Sequence, residues 1–356
     1  MSTELRVAII GTGFGASVHV PGFRLVDGVQ VVAVASAQLE RARALATRAG
    51  IPHAFDDFRR MLDEVQVDLV SIATPVYLHH EMVLAAAQRG IHVLCEKPLA
   101  LTANQAEQML AAVTARNLRH GVDFQFRYHR GIATLKRAID DGRLGEPRMA
   151  RVVSRSDVRS TAEKVPFTWW SERDKGGGVL GAVASHWIDL LRWYFGAPRD
   201  VSSQLNTFVP QRRDASGAWR EVETEDTAHL AMRLGSGGVQ ATIDVSMALG
   251  PTGGRVELYG SDGALVLDGF DEVHFLRSGS APEPLPLVPA RFEGEPGQPI
   301  NVLAFAALVA DLRAAIVGEA PEKHPPDFED GVAVQQVLDT AYQQDVERAK
   351  SSGTAP

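Results

Sequence analysis

Short apolar runs and longer amphipathic stretches alternate through the first third of the chain. RVAIIG (6–11), VQVVAVAS (29–36), VDLVSIATP (67–75) and IHVLCEK (91–97) are apolar runs of strand length. Between them, LERARALATRAG (39–50) and HHEMVLAAAQRG (79–90) have helical spacing and end on glycine. A further helix is predicted from Thr102, a side chain suited to an N-cap, to Asn117. Strands that are apolar throughout need cover on both faces, so this alternation predicts a parallel sheet flanked by helices. It ends near LRHGVDF (118–124).

Beyond that point the period changes. MARVVSRSDVR (149–159), TAHLAMRL (227–234), VQATIDVSM (239–247), RVELYG (255–260) and GALVLDG (263–269) alternate or are β-branched, with turn residues such as GSGG and GSDG between them. They predict a largely antiparallel sheet, interrupted by helices at 131–141 and, after a triple glycine, at 179–195. The proline- and glycine-rich segment 278–299 is predicted as an exposed loop, and helices over 301–317 and 329–349 close the chain. The change of period places two domains at 1–123 and 124–356. The second sheet has one face without evident helical cover. That face is expected to be apolar and buried between subunits.

Composition narrows the picture without naming a function. Of 356 residues, 45% are hydrophobic and 22% charged, as in ordinary globular proteins, and the net charge of -8 argues against a nucleic-acid partner. Cys95 is the single cysteine, so no intrachain disulfide is possible. MSTELRVAIIG lacks the layout of a signal peptide, and no apolar run reads as long enough to span a bilayer. A cytoplasmic protein without membrane or nucleic-acid partners is expected. No set of His, Cys and carboxylates has metal-ligand spacing, so no metal is expected.

GTGFGA (11–16) lies directly after the first predicted strand and before a helix-like stretch. Gly11 suits a tight turn, Gly13 lets the backbone approach a pyrophosphate, and Ala16 holds the third position, where helix and strand pack closely. Phe14 belongs to the same loop. Anions sit well against the N–H groups of such a helix start. The α/β pattern with this loop predicts an N-terminal Rossmann dinucleotide-binding domain, followed by a C-terminal α/β domain with a large, mainly antiparallel open sheet. At the end of the second strand, where an acidic residue would bind the ribose of NAD, stands Ser36, with Arg41 one helical turn on. The missing carboxylate and the nearby arginine favour NADP over NAD. Arg41 also reads as an ordinary solvated helix charge.

GTGFGA, TPVYLH (74–79), HVLCEKPLA (92–100) and GGGVLGAVASHWIDLLRW (176–193) together resemble the glucose–fructose oxidoreductase/inositol dehydrogenase/MocA family. FRYHRG (126–131), DDGRLGEP (140–147) and ELYGSDGALVLD (257–268) extend the likeness over nearly the whole chain. The resemblance implies hydride transfer between NAD or NADP and a secondary alcohol or ketone of a sugar-like or cyclitol substrate, in a homodimer or homotetramer. It implies that Lys97 contacts substrate near the nicotinamide, which agrees with a ligand site beyond the carboxyl ends of parallel strands. It also implies a cis peptide before Pro98. Thr74, Pro75, His79 and Glu96 join the cofactor set; His19 and His80 read as packing or surface residues.

The resemblance further implies that His186 exchanges the alcohol proton. Asp189 lies three residues on, on the same helical face. Many members carry an aspartate four residues before this histidine; here that position is Ala182. The resemblance places Arg127 and Tyr128 in a junction motif beneath the substrate pocket; a structural arginine pairing across domains is an equal reading. Trp169 and Trp170 read equally as a sugar-facing wall and as core. Arg151, Arg155 and Arg159 recur on one strand face, which suits an acidic substrate or, more simply, a solvated or subunit-facing strand. Two further functions stay open. One is a non-catalytic dinucleotide sensor, which Ala182 favours. The other is a glycoside-cleaving enzyme acting through transient oxidation at the third sugar carbon.

Overall fold

The computed structural model describes residues 4–294 and 298–351. Residues 295–297 of the predicted loop lie outside that range. The chain divides into two units, Met1–Tyr128 with Ala290–Val332, and His129–Pro289 with Ala333–Pro356. The expected cut lies between 123 and 124. The first unit runs on to Tyr128, and it takes back a segment whose place in the sequence assigns it to the second domain.

The first unit is built on a six-stranded parallel sheet of β1 (Leu5–Ile10), β2 (Val29–Ala35), β3 (His53–Phe55), β4 (Leu69–Ile72), β5 (His92–Cys95) and β6 (His120–Val122), in the order β3-β2-β1-β4-β5-β6. The order reverses between β1 and β4, the crevice where open α/β sheets bind ligands. Helices α1 (Val20–Arg24), α2 (Leu39–Ala49), α3 (Phe58–Glu64), α4 (His79–Gln88) and α5 (Ala103–Thr114) connect the strands. Thr102 caps α5 as expected, accepting from the Gln105 N–H at 3.2 Å. β3 and α3 are additions, too short to impose a period on the sequence.

Two buried anchors hold the returning segment. Asp311, fully buried on the helix Ile300–Val317, accepts from the Tyr128 hydroxyl at 2.9 Å, from Arg291 at 2.6 Å and from the Glu322 N–H at 2.9 Å. Arg127 pairs with Asp330 at 3.1 Å. The helix Ile300–Val317 also corrects the expectation that no run reaches bilayer length: by length and composition it is long and apolar enough to cross a membrane. Most of it is buried within the protein, with Phe305 stacked on His19 at 4.3 Å.

The second unit holds an eight-stranded sheet. Its members are β7 (Pro147–Arg155), β8 (Pro198–Asn206) and, after a small ribbon of β9 (Gln211–Arg213) and β10 (Trp219–Glu221), β11 (Thr227–Leu234), β12 (Val239–Ser246), β13 (Gly253–Gly260), β14 (Ala264–Asp268), β15 (Glu272–Leu276) and β16 (Glu283–Pro284). The order is β16-β15-β14-β13-β7-β12-β11-β8. The β7–β12 pair is parallel and the other pairs are antiparallel. Helices α6 (Arg130–Asp140) and α7 (Ser185–Phe195) pack on one face. The opposite face corrects the apolar expectation. Across β7, β11, β12 and β13 it presents Arg151 near Glu257 (3.9 Å) and Arg155 and His229 near Asp244 (both 3.5 Å). Alternation places apolar side chains under the helices, and the polar partners fall on the open side.

Candidate active site

The phosphate loop leaves β1 at Gly11, whose φ is +113°; a Cβ there would meet the Ala73 carbonyl oxygen at 2.3 Å. A side chain is therefore excluded both by conformation and by space. A Cβ on Gly13 would meet nothing within 4 Å, so this exposed stretch leaves room for a ligand to approach the backbone. The tight helix–strand contact falls at Gly15, where a Cβ would lie 3.1 Å from Ile9 Cγ2, while Ala16 is half-buried against the same core. Gly15 is thus a site glycine beyond the predicted set. Phe14 is exposed and meets the His19 ring edge-on at 5.9 Å. These features fit a dinucleotide pyrophosphate. Ser36, at the end of β2, lies 3.4 Å from the Thr12 hydroxyl, and Arg41 is exposed on α2.

Thr74 and Pro75 follow β4, and Lys97 follows β5 by two residues. His79 ties the two strand ends together. Its Nε2 faces the Thr74 carbonyl at 2.9 Å, and its Nδ1 faces those of Pro98 and Leu99 at 3.2 and 3.3 Å. The ring is buried, and burial holds its pKa below the usual value. His79 therefore staples the turn and does not present an open face. The Lys97–Pro98 peptide is cis. Lys97 is half-buried; burial lowers its pKa against the attraction of Glu96 and Asp123.

Behind Lys97 lies a cluster assembled from residues far apart in the chain. His19 Nε2 sits 2.9 Å from Glu96 Oε1 and 3.6 Å from Asp123 Oδ2, and its Nδ1 lies 2.8 Å from the Ser71 hydroxyl. All three ionisable groups are buried. Burial opposes a charged ring, but hydrogen bonding to Asp123 and Glu96 raises His19 to about 9. Burial alone would raise Glu96, yet His19 and Lys97 hold it below the usual value. Burial and the Glu96 charge push Asp123 up to about 7. The three ligand atoms lie within 4.8 Å of one another, a grouping no sequence spacing announced. Protonated His19 supplies the positive charge such a group needs. His19 is indeed a packing residue, as expected, but a charged one.

In the second unit the triple glycine passes close to its neighbours. A Cβ on Gly177 would fall 2.1 Å from the Trp170 carbonyl oxygen, and one on Gly178, whose φ is +104°, 2.2 Å from the Glu225 carboxylate. Glu225 accepts from the Leu180 N–H at 2.8 Å, and burial pushes its carboxyl up to about 7. A π turn, Leu180–Ala184, leads into α7. His186 is buried at 4% exposure and Asp189 is at 0%. Both lie on α7, three residues apart. Trp169 and Trp170 are half-buried.

Residues 5–124 match the model of an oxidoreductase family with an NAD-binding Rossmann fold (Gfo/Idh/MocA), and residues 132–266 match the C-terminal domain model of the same family. The chain belongs to the Gfo/Idh/MocA oxidoreductases. It is 31% identical to the levoglucosan dehydrogenase of Pseudarthrobacter phenanthrenivorans over 289 residues, 74% of each chain. It is 32% identical to the D-glucoside 3-dehydrogenase of Escherichia coli, covering 70% of this chain and 72% of that protein. A solved levoglucosan dehydrogenase in complex with NADH and levoglucosan superposes with a TM-score of 0.85 at 25% identity, covering 97% of both chains. These relatives are enzymes of sugar oxidation, and the chain is an oxidoreductase of the sugar and cyclitol dehydrogenase family.

Within this Gfo/Idh/MocA chain, two expected substrate residues have partners in the fold. Arg127 is buried on Asp330, and the Tyr128 hydroxyl is held by Asp311. Ala182 is half-buried in the π turn, and nothing in the structure explains why an aspartate is dispensed with there. The three arginines read as one strand face separate. Arg151 and Arg155 are exposed on β7 beside carboxylates, while Arg159, past the strand end, is buried.

Proposed function

We propose that the chain transfers a hydride between a nicotinamide cofactor and a secondary alcohol or ketone of a sugar or cyclitol. The observation that carries this reading is Lys97, an ammonium beyond the carboxyl end of β5, half-buried against Glu96 and Asp123. A cation there stabilises negative charge developing on the reacting oxygen. His186 exchanges the hydroxyl proton, and Asp189 on the next turn of α7 orients it. When bound, the nicotinamide supplies the hydride acceptor or donor. Gly11, Gly13, Phe14 and Ala16 would hold the pyrophosphate. Ser36 and Arg41 would face the adenosine ribose, and Thr74, Pro75, Glu96 and Lys97 the nicotinamide end, with His79 fixing the turn. Absence of a carboxylate at Ser36, together with an Arg41 that has no ion pair among the described residues, supports NADP over NAD.

The relatives' substrates support a sugar. Absorbance at the reduced-nicotinamide band, with sugars, cyclitols and their keto forms and with both cofactors, tests the reading. Turnover that Lys97→Ala abolishes supports it; cofactor binding without turnover on any alcohol or ketone removes it. Ala182 favours the sensor reading, and a protein partner whose affinity changes with cofactor would establish that instead. The chain is further proposed to assemble as a homodimer or homotetramer through the open polar sheet face.

A further inference from the structure

We propose that Arg159 is the anion-recognising residue of a substrate subsite, and that the substrate is an acidic sugar carrying a carboxylate or a phosphate. The proposal rests on the dehydrogenase reading above for its setting and on the second unit alone for its geometry. Arg159 is 9% exposed, and its guanidinium lies over the Trp170 ring, 4.0 Å from the centroid. A guanidinium stacked this way keeps its N–H donors in its own plane, available at the edge. Among the described residues no acceptor or carboxylate is within bonding distance of those donors.

Arg212 shows what a purely structural arginine looks like in the same region. It is 1% exposed, and it donates to the carbonyls of Thr161 (2.9 Å), Val165 (3.2 Å) and Arg159 (2.7 Å). It ties down the loop after β7 and leaves the Arg159 side chain without such bonds. The buried carboxylate that attracts both arginines is Asp226. It accepts from the Val209 N–H at 2.9 Å and the Thr227 hydroxyl at 3.2 Å, and neither arginine lies within ion-pair distance of it among the described residues. Two buried guanidiniums thus face one buried carboxylate. Buried charge is costly unless paired, and a bidentate oxyanion is the partner that a free guanidinium edge fits. Burial and Arg212 pull Arg159 down to about 10, still charged at neutrality. The Trp170 carbonyl lies against Gly177, in the glycine run that opens the segment carrying His186.

Calorimetric titration of the full-length protein with D-glucuronate, D-glucose 6-phosphate and D-glucose tests the proposal without requiring turnover. At least one acid should bind about 10–100-fold more tightly than D-glucose, the range for a hydrogen bond to a charged group. The two acid arms separate carboxylate from phosphate. Arg159→Met should remove the preference and leave D-glucose affinity unchanged; Arg159→Lys should retain part of it. Circular dichroism verifies that each variant folds, with Arg159→Gln as a second neutral variant. Equal affinity for glucose and both acids overturns the proposal, as does failure of both acids to bind. So does an acid preference that survives Arg159→Met. A change of oligomeric mass in Arg159→Met with unchanged acid affinity would assign the guanidinium to a second copy of the chain. Arg159-dependent acid binding without hydride transfer would leave this subsite standing and remove the dehydrogenase reading. Turnover of neutral sugars without acid preference would do the reverse.

Discussion

In the first unit His19, Glu96 and Asp123 are buried within contact of one another; in the second, Arg159, Arg212 and Asp226 are buried without an ion pair among the described residues. The first arrangement is closed around the imidazole, although Asp123 Oδ2 itself accepts no hydrogen bond among the described residues. A cationic ring lies between two carboxylates, with a serine hydroxyl on its other nitrogen. The second is open, because one guanidinium donates to three backbone carbonyls and the other meets an aromatic face only. Closed buried charge stabilises a fold or stiffens what lies in front of it, here Lys97. Open buried charge is retained where something else completes it.

The largest effects should come from the groups that the two arrangements support. His186→Ala is expected to lower turnover on the order of 10²–10⁴-fold and Lys97→Ala about 10²–10³-fold, with cofactor affinity near parental in both, measured by steady-state kinetics and cofactor titration. Parental turnover in either variant would remove that residue from the chemistry. Breaking the closed cluster should show in stability. His19→Ala leaves two carboxylates without their cation and should cost about 3–5 kcal/mol in urea denaturation. Arg159→Met should stay within about 1 kcal/mol in the same experiment, since no buried partner is orphaned. Equal losses at the two sites would erase the distinction drawn between them.

A pH series sharpens the same contrast. His19 is raised from 6.5 to about 9 in the folded state, so the native protein binds that proton more tightly than the unfolded chain. Its contribution is fully present below 6.5 and is lost as pH rises through about 9. Asp123, raised from 3.8 to about 7, adds a loss in the same direction across that lower window. The thermal midpoint of the parent should fall over these ranges, and His19→Gln should flatten the upper one; a parent curve flat to above pH 9 would contradict the charged ring. Ser36→Asp should shift cofactor preference from NADP(H) toward NAD(H) by about tenfold, read by fluorescence titration, and an NADH preference in the parent would overturn the ribose-end reading. The smallest change concerns assembly: light scattering at micromolar concentration should give a multiple of the single-chain mass, and a single-chain mass would remove the polar sheet face as an interface.

What the chain determined locally was legible in its sequence. Apolar runs between helices specify a parallel sheet, because such strands need cover on both faces. GTGFGA specifies the phosphate loop, because Gly11 must hold a positive φ against Ala73. Thr102 specifies a cap, and the family motifs mark Lys97 and His186. Other features depended on contacts between residues far apart in sequence. His19 meets Ser71 and Glu96 across 52 and 77 positions, and Tyr128 meets Asp311 across 183. No local period reports such pairs. The return of residues 290–332 to the first unit, the polarity of the open sheet face, and the separation of Arg159 from Arg151 and Arg155 were decided in the same way. Which buried charges are closed and which are left open depends on what the folded chain brings beside them, and tertiary structure alone supplies that.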